Sequence, residues 1–382
     1  MNAMHIEKQN DIKSYALYFF LYCPLGVLSP LIGQYLSGIG FSGTQVGTVT
    51  SLGTASAVFA GIFWGKIFAN SEQKRKIIAF LFLGASAFAL LGLCTTSFLL
   101  YAAIYATMYF FQGPAHGLCD SLIMENGQNF PVIRSCGAVG YAAAVCFAGW
   151  LAEKYDLSVI FYIYAVTFLI AAAFIMAQKE PPLHKRSEKN VSIRELIPNR
   201  KYRRLLICAF LVIGTNISNS TYFGYLFREG GGNIGGIGVA FLLMAGSEAP
   251  FMFLIPYINR KISSEKLLLI AMFFCVGRFG FYACGPFYQT LLATFFLQGV
   301  SEGIILVEIV KYFGKIVEPR MASIAVSTYY ALGNSLSIIV CSFVGGLILD
   351  GFGARGVYFF FTILNVMACI FYMMFGLYKK AE

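Results

Sequence analysis

Long apolar segments separated by short polar ones run along the whole chain. The two longest uncharged runs are residues 14–65, with 52 residues, and 77–119, with 43 residues. A helix that crosses a bilayer needs about 20 apolar residues, so each run predicts two spans. Single spans are predicted in 135–152, 157–178, 205–227, 321–349 and 356–378, and three more between 230 and 310. The pattern therefore predicts twelve membrane-spanning helices, because barrel strands are shorter and alternate in polarity.

Composition agrees with a membrane protein and excludes a soluble one. The chain is 58% hydrophobic and 12% charged, with a mean hydropathy of +0.71, whereas soluble domains carry roughly 25% charged residues. The one long polar insert lies near the midpoint, so the predicted domains are a six-helix bundle over 1–178, a cytoplasmic linker over 179–203 and a second six-helix bundle over 204–382. The basic loops at Lys76 and Lys266 lie 190 residues apart. Six spans per half with weak internal symmetry are typical of the major facilitator fold, an all-α membrane architecture.

Basic residues fall mainly on one side of the predicted spans. If both termini lie inside, only Lys154, Arg228 and Arg355 remain outside. Lysine and arginine concentrate in cytoplasmic loops, so the sequence predicts a multi-pass protein of a bacterial-type cytoplasmic (inner) membrane with both termini cytoplasmic. The net charge of +10 follows from this topology, and no nucleic-acid partner is expected.

Motifs of enzymes and of metal sites are missing from the sequence. The ten cysteines form no C-x-x-C pair, and no phosphate loop occurs. We expect no enzymatic activity, no catalytic residues, no metal and no cofactor. A proton gradient would supply the energy for the protein's activity.

A few charges cannot be placed at a membrane surface. They are Asp120, Arg134, Glu248, Arg278 and Glu302, and each costs about 2.5 to 3.5 kcal/mol at the centre of a span. Asp120 ends the fourth span and Arg134 opens the fifth, so a short hairpin brings them to similar depth. Arg278 and Glu302 lie on the consecutive ninth and tenth spans. A carboxylate beside an arginine can hold or release a proton as its partner moves, which is what proton coupling requires.

Two stretches carry a resemblance to a known family. The segment "GSEAPFMFLIPYINRKISSEKLLLIAMFFCVGRFGF" resembles the C-terminal half of the lactose permease family of oligosaccharide:proton symporters, and "RSCGAVGY" resembles the fifth-span motif of that family. The resemblance implies that Arg134, held by Asp120, binds sugar hydroxyls, and that Tyr141 stacks on the sugar ring. It also implies that Glu248 binds sugar and that Arg278 is linked to proton release.

The sequence departs from the family at other charged positions. Asn216 and Asn219 replace two seventh-span aspartates, and the tenth-span glutamate position reads Ser301. Glu302 comes one residue later, about 100° around a helix with 3.6 residues per turn. The hypothesis is that Glu302 and Arg278 couple protons, while Asn216 and Asn219 help to form a neutral substrate pocket. Other residues assigned to that pocket are Gln112, Ser218, Thr221, Tyr222, Tyr329 and Asn334.

We therefore expect a secondary active transporter that takes up a sugar or sugar-like solute, such as an oligosaccharide or a nucleoside, by proton-coupled alternating access. Its partners would be a small-molecule substrate, protons and the lipid bilayer, and we expect a monomer. Uptake of an aromatic carboxylate, with Arg134 binding the carboxylate directly, and efflux of small molecules remain alternatives. A membrane sensor that does not transport is a more remote one.

Overall fold

The computed structural model describes residues 2–180 and 195–379, and within these ranges the side chains from residue 12 onward except those at 131, 249 and 323. Residues 181–194, most of the predicted linker, lie outside the described residues. The helices are α1 (Asn2–Leu28), α2 (Ile32–Gly38), α3 (Gly43–Ala69), α4 (Lys74–Leu91), α5 (Phe98–Glu125), α6 (Phe130–Lys154), α7 (Val159–Met176), α8 (Arg200–Glu229), α9 (Ile234–Ile258), α10 (Ser264–Ala283), α11 (Tyr288–Thr294), α12 (Phe296–Lys315), α13 (Ala322–Thr328) and α14 (Ser337–Met374). A π-helix, Tyr329–Leu336, joins α13 to α14. The first described residues after the gap lead into α8, whose first turn is capped by the side chain of Asn199.

The number of spans agrees with the apolar pattern. In the described part of the chain, nine helical segments are long and apolar enough to cross a membrane, and the bent pair α1 and α2 makes a tenth. The last of these segments, Ile324–Met374, has 51 residues, about twice the length of one span. Gly353 interrupts it with a φ of 67°, in the left-handed region that favours glycine. Dividing that segment at Gly353 and adding α5, which has 28 residues, gives the predicted twelve.

The helices form two compact units. Among the described residues, the first unit contains 2–41, 48–180 and 237–242, and the second contains 42–47, 195–236 and 243–379. In the first unit α1 packs most closely on α6 and α7, and α4 packs on α5 and α7. In the second unit α8 and α10 pack on α14, and α10 packs on α12. The predicted end points of the domains stay a prediction.

Two glycines of the RSCGAVGY motif allow α6 to approach α1 closely. A Cβ added at Gly137 would lie 2.5 Å from the ring of Tyr22, and one added at Gly140 would overlap the backbone carbonyl of Phe19. Small residues permit such close backbone approach in membrane proteins, where lipid provides no hydrophobic driving force between helices. These glycines therefore set how far the tyrosines of α1 lie from the charged start of α6.

Two pairs of glycines spaced four residues apart, Gly61 with Gly65 and Gly299 with Gly303, differ in their surroundings. A Cβ at Gly299 would overlap the carbonyl of Met244 in α9, and one at Gly303 would lie 3.3 Å from the carbonyl of Glu248. The second pair therefore allows α12 to pack closely on α9. A Cβ added at Gly61 or Gly65 would meet no atom of the described residues within 4 Å.

Replacing Gly140 by alanine should weaken the packing of α1 on α6. The new methyl group cannot fit beside the Phe19 carbonyl unless the helices separate, and such overpacking costs about 1–3 kcal/mol of unfolding free energy. Gly61→Ala is the matched control, since its methyl group enters open space and alanine favours the helix by about 1 kcal/mol. Thermal unfolding of purified protein in detergent should show a lower midpoint for Gly140→Ala only. Equal midpoints for the two variants would contradict the close contact.

Candidate functional site

Asp120 and Arg134 form an ion pair inside the first unit. The Nη1 atom of Arg134 donates to Oδ2 of Asp120 at 2.8 Å. The two residues lie near the facing ends of α5 and α6, which are joined by a turn in which Gly127 has a φ of 69°. The turn reverses the chain within four residues, so both side chains come to the same depth. The structure thus brings together the two residues that the sequence placed at a hairpin.

Two tyrosines of α1 complete this charged cluster. The hydroxyl of Tyr18 donates to Oδ1 of Asp120 at 2.7 Å, and the guanidinium carbon of Arg134 lies 5.2 Å from the centre of the Tyr22 ring. Both carboxylate oxygens of Asp120 are therefore engaged. The side chain of Arg134 is 48% exposed, and a guanidinium has five N–H donors. The cluster holds Arg134 in place and leaves part of its planar fork open to a ligand.

Sequence reasoning did not find Tyr18 and Tyr22. They lie one turn apart on α1, more than 100 residues before Arg134 in the chain, so spacing gave no signal for them. His116 packs behind them, with its ring 5.0 Å from that of Tyr22 and its Nε2 atom 3.2 Å from the carbonyl of Leu21. These contacts give His116 a packing role.

Tyr141 lies on the same helix as Arg134 and is half-buried. Seven residues separate the two, which is about 10 Å along the helix axis. The backbone carbonyl of Tyr141 lies beside Gly26 of α1, where an added Cβ would overlap it. Tyr141 is therefore held two turns from Arg134 along α6.

Arg278 is the buried cation of the second unit. Only 6% of its surface is exposed, and its Nη2 atom donates to Oδ1 of Asn216 at 2.5 Å. The guanidinium also lies over the rings of Phe279 and Tyr282, at 4.4 and 6.0 Å. Glu302 is near enough to act on it electrostatically, but Arg278 has no ion pair within 4.0 Å among the described residues. The ion pair expected between Arg278 and Glu302 is not formed in this structure.

Glu302 lies instead at the end of a chain of hydrogen bonds formed by uncharged side chains. The Nε2 atom of Gln298 donates to Glu302 across one turn of α12, at 3.4 Å. The Oε1 atom of Gln298 accepts from Asn219 at 2.7 Å, and Asn219 in turn accepts from the hydroxyl of Tyr358 at 2.7 Å. Asn219 is fully buried, so its amide serves the packing of α8 against α12 and α14. Sequence reasoning missed Tyr358.

Glu248 lies on α9 at the contact with α12. Its backbone carbonyl and its Cγ atom are 3.3 and 3.4 Å from a Cβ built on Gly303, and the residue is partly exposed. The glycine allows α12 to pass directly over this glutamate. Glu248 and Glu302 therefore belong to neighbouring helices of the second unit.

Several other polar residues assigned to a substrate pocket form hydrogen bonds to residues of neighbouring helices. Gln112 accepts from the hydroxyl of Tyr164 at 2.9 Å, the hydroxyl of Ser218 lies 3.0 Å from that of Ser342, and Tyr222 donates to the Ser342 carbonyl. Such bonds join helices in membrane proteins. Tyr329 and Asn334 fall within the π-helix, a local geometry that occurs frequently at functional sites.

The family model described as the MFS_1-like family matches residues 12–360. The chain belongs to this family. It is 32% identical to the maltose permease of Geobacillus stearothermophilus over 362 residues, which is 92% of this chain and 91% of that one. It is 22% identical to the sucrose permease of Escherichia coli, over 97% of this chain and 93% of the permease.

Solved structures show the same fold. The structure of a point mutant of the nucleoside transporter NupG superposes with a TM-score of 0.87 over 95% of this chain and 99% of that chain, at 16% identity. At this identity the likeness establishes the architecture alone. The predicted major facilitator fold is confirmed, and the relatives are transporters rather than enzymes.

Two asparagine-to-aspartate substitutions should have opposite effects on stability. Asn216→Asp places a carboxylate against Arg278, which neutralises a buried charge, so the thermal midpoint should stay the same or rise. Asn219→Asp replaces a donor to Gln298 by an acceptor in a fully buried position, which should cost about 1–3 kcal/mol. Unfolding of the purified variants in detergent measures both effects. A similar loss in both variants would show that Arg278 does not govern the Asn216 position.

Proposed function

We propose that this protein takes up a sugar or sugar-like solute together with protons, by alternating access between its two helical bundles. The observation that carries the proposal is the Asp120–Arg134 ion pair, half-exposed and held by Tyr18 and Tyr22. A permanent charge persists in a membrane-spanning region mainly where function requires it. The names of the relatives, a maltose permease and a sucrose permease, support a sugar as substrate.

Substrate binding would centre on Arg134. Its guanidinium presents parallel N–H groups whose spacing matches two neighbouring hydroxyls, and Asp120 keeps this fork oriented through a contact of 2.8 Å. The ring of Tyr141, two turns further along α6, would then lie against the apolar face of the sugar. Glu248, a partly exposed residue of the second unit, stays a predicted sugar ligand.

Proton coupling would take place at Glu302, close to Arg278. Arg278 and Glu302 lie on α10 and α12, which pack on each other, and no ion pair joins them in the described structure. A modest shift of α12 would therefore bring the carboxylate to the guanidinium or take it further away. A carboxylate holds a proton more weakly when an arginine approaches. Asn216 and Asn219 would act on this site through their contacts with Arg278 and Gln298. The proton gradient supplies the energy in this scheme, and no cofactor takes part.

The positive-inside pattern supports a topology with both termini in the cytoplasm of a bacterial-type cell, the protein lying in the cytoplasmic membrane. We expect it to act as a monomer. Lys74 with Glu125, and Lys311 with Glu308, form ion pairs at 2.5 and 2.8 Å near helix ends of the two units. In this topology all four residues lie towards the cytoplasmic side. The proposed direction of transport is inward.

Substrate-induced alkalinisation of a lightly buffered suspension of expressing cells tests this function. External pH should rise on addition of one member of a panel of mono- and oligosaccharides and nucleosides. Glu302→Gln should abolish the rise in pH and retain binding of the same compound to purified protein, because the side chain keeps its shape and loses its proton site. A rise in pH that is unchanged in Glu302→Gln would remove this residue from coupling.

Arg134→Lys should lower substrate affinity at least tenfold although it keeps the positive charge. An ammonium is a compact point charge and lacks the planar fork that binds paired hydroxyls. Equilibrium binding to purified protein measures the effect, with Arg75→Lys as the control, since Arg75 pairs with Glu180 outside the cluster. Near-normal affinity in Arg134→Lys would show that Arg134 does not contact the substrate.

Uptake of an aromatic carboxylate is the second candidate, favoured by the exposed part of the Arg134 guanidinium. The variant Asp120→Asn distinguishes uptake of an aromatic carboxylate from uptake of a sugar. A neutral sugar should bind several-fold more weakly to this variant, because the amide no longer orients the arginine by charge. A carboxylate substrate should bind equally well or better, because the competing negative charge is gone. Binding measured with both compound classes decides between the candidates.

A further inference from the structure

Each unit has an open groove between equivalent helices. In the first unit a groove of about 350 Å³ lies between the end of α4 and the start of α5. In the second unit a groove of about 620 Å³ lies between α10 and the segment α11–α12. The second groove has the size of a small-molecule site, which is typically about 300–1,000 Å³.

The two grooves are repeats of one feature. Lys76 and Lys266, in the matching basic loops, lie 190 residues apart, and the same offset relates positions that line the two grooves. The matching pairs are Phe88 with Arg278, Leu91 with Phe281, Leu100 with Thr290, Ile104 with Thr294, and Thr107 with Leu297. Both grooves therefore follow from the shared architecture, and their differences in chemistry are specific to each unit.

The decisive difference is Arg278, which occupies the position of Phe88. Its Nε and Nη1 atoms have no hydrogen-bond partner in the described structure, nor does the hydroxyl of the neighbouring Tyr282, which also lines the groove. The rest of the wall is mainly apolar, and Phe273 and Phe274 are about half exposed. Buried donors of this kind cost free energy unless a partner arrives. The groove thus combines an apolar wall with an unpaired cation.

We propose that this groove binds an anionic phospholipid of the bilayer, with one acyl chain along α10 and the phosphate at Arg278. The lining of the groove runs from Ile270 to Tyr282, about 18 Å along the helix. That length matches one leaflet, half of a hydrocarbon core about 30 Å thick. Arg278 lies five residues before the end of α10 at Ala283, about 7–8 Å, a depth from which long side chains reach the headgroup level.

Bound lipid would act on the same guanidinium that Glu302 faces. A phosphate at Arg278 would compete with the carboxylate for the cation, so lipid composition would modulate the protein. The lipid site itself does not depend on the proposed transport function, because it needs only the geometry of the groove and the position of the protein in a membrane. Lipid binding can therefore be tested without a transport assay.

Native mass spectrometry of delipidated protein tests the proposal, with phosphatidylglycerol and phosphatidylcholine added in turn. The wild-type protein should retain one phosphatidylglycerol with roughly tenfold preference, because both lipids carry a phosphate but phosphatidylcholine also carries a choline cation that offsets its attraction to Arg278. Gly277→Leu should abolish this retention, because Gly277 lines the groove and an added Cβ there meets no described atom within 4 Å. The new side chain fills the groove without disturbing the fold.

Ala87→Leu is the matched control, since Ala87 is the counterpart of Gly277 at the offset of 190 residues. It should retain phosphatidylglycerol as the wild type does. Arg278→Gln should keep lipid in the groove and lose the preference for the anionic headgroup. Equal retention of the two lipids by the wild type, or unchanged retention in Gly277→Leu, would overturn the proposal. Displacement of phosphatidylglycerol by stoichiometric oleate would overturn the phospholipid assignment in favour of a free fatty acid.

Discussion

The cost of a charge inside a membrane-spanning region is the constraint on which this structure depends. Each unit contains an arginine in such a region, and the partners that stabilise the charge differ between the two units. Arg134 has a carboxylate partner, Asp120, and an aromatic face beneath it. Arg278 has an amide and two rings. The first arrangement leaves a half-exposed arginine side chain, whereas the second leaves a buried arginine with two nitrogen atoms that have no hydrogen-bond partner in the described structure.

Close helix packing makes the first arrangement possible. Tyr18 and Tyr22 reach the ion pair only because Gly137 and Gly140 allow α1 to lie directly against α6. The RSCGAVGY motif therefore supplies both Arg134 and the two glycines against which α1, with its two tyrosines, packs. Recognition and packing share one short stretch of sequence, so a change in either glycine affects both.

The internal repeat gives both units the same framework, and single substitutions give them different chemistry. Phe88 and Arg278 occupy matching positions in matching grooves, yet one groove is apolar and the other has an unpaired cation. In the same way, asparagines at positions 216 and 219 replace ionic contacts by neutral ones, and a chain of hydrogen bonds from Tyr358 through Asn219 and Gln298 reaches Glu302. The ligand contact proposed at Arg134 lies in the first unit, and the proton coupling proposed at Glu302 lies in the second.

The sequence by itself determined the number of spans and the pairing of Asp120 with Arg134. Both follow from local properties, since the length of an apolar run decides whether it can cross a bilayer and a four-residue turn brings the two charges together. The rotation of each helix about its axis is not local. It brings the Tyr18 hydroxyl to Asp120, turns Glu302 towards Gln298 and places Arg278 against Asn216. It also leaves open space beside Gly61 and Gly65, where an added Cβ would meet no described atom within 4 Å. Only the tertiary structure decided these contacts, because rotation is fixed by the packing of surfaces from helices that are far apart in the chain.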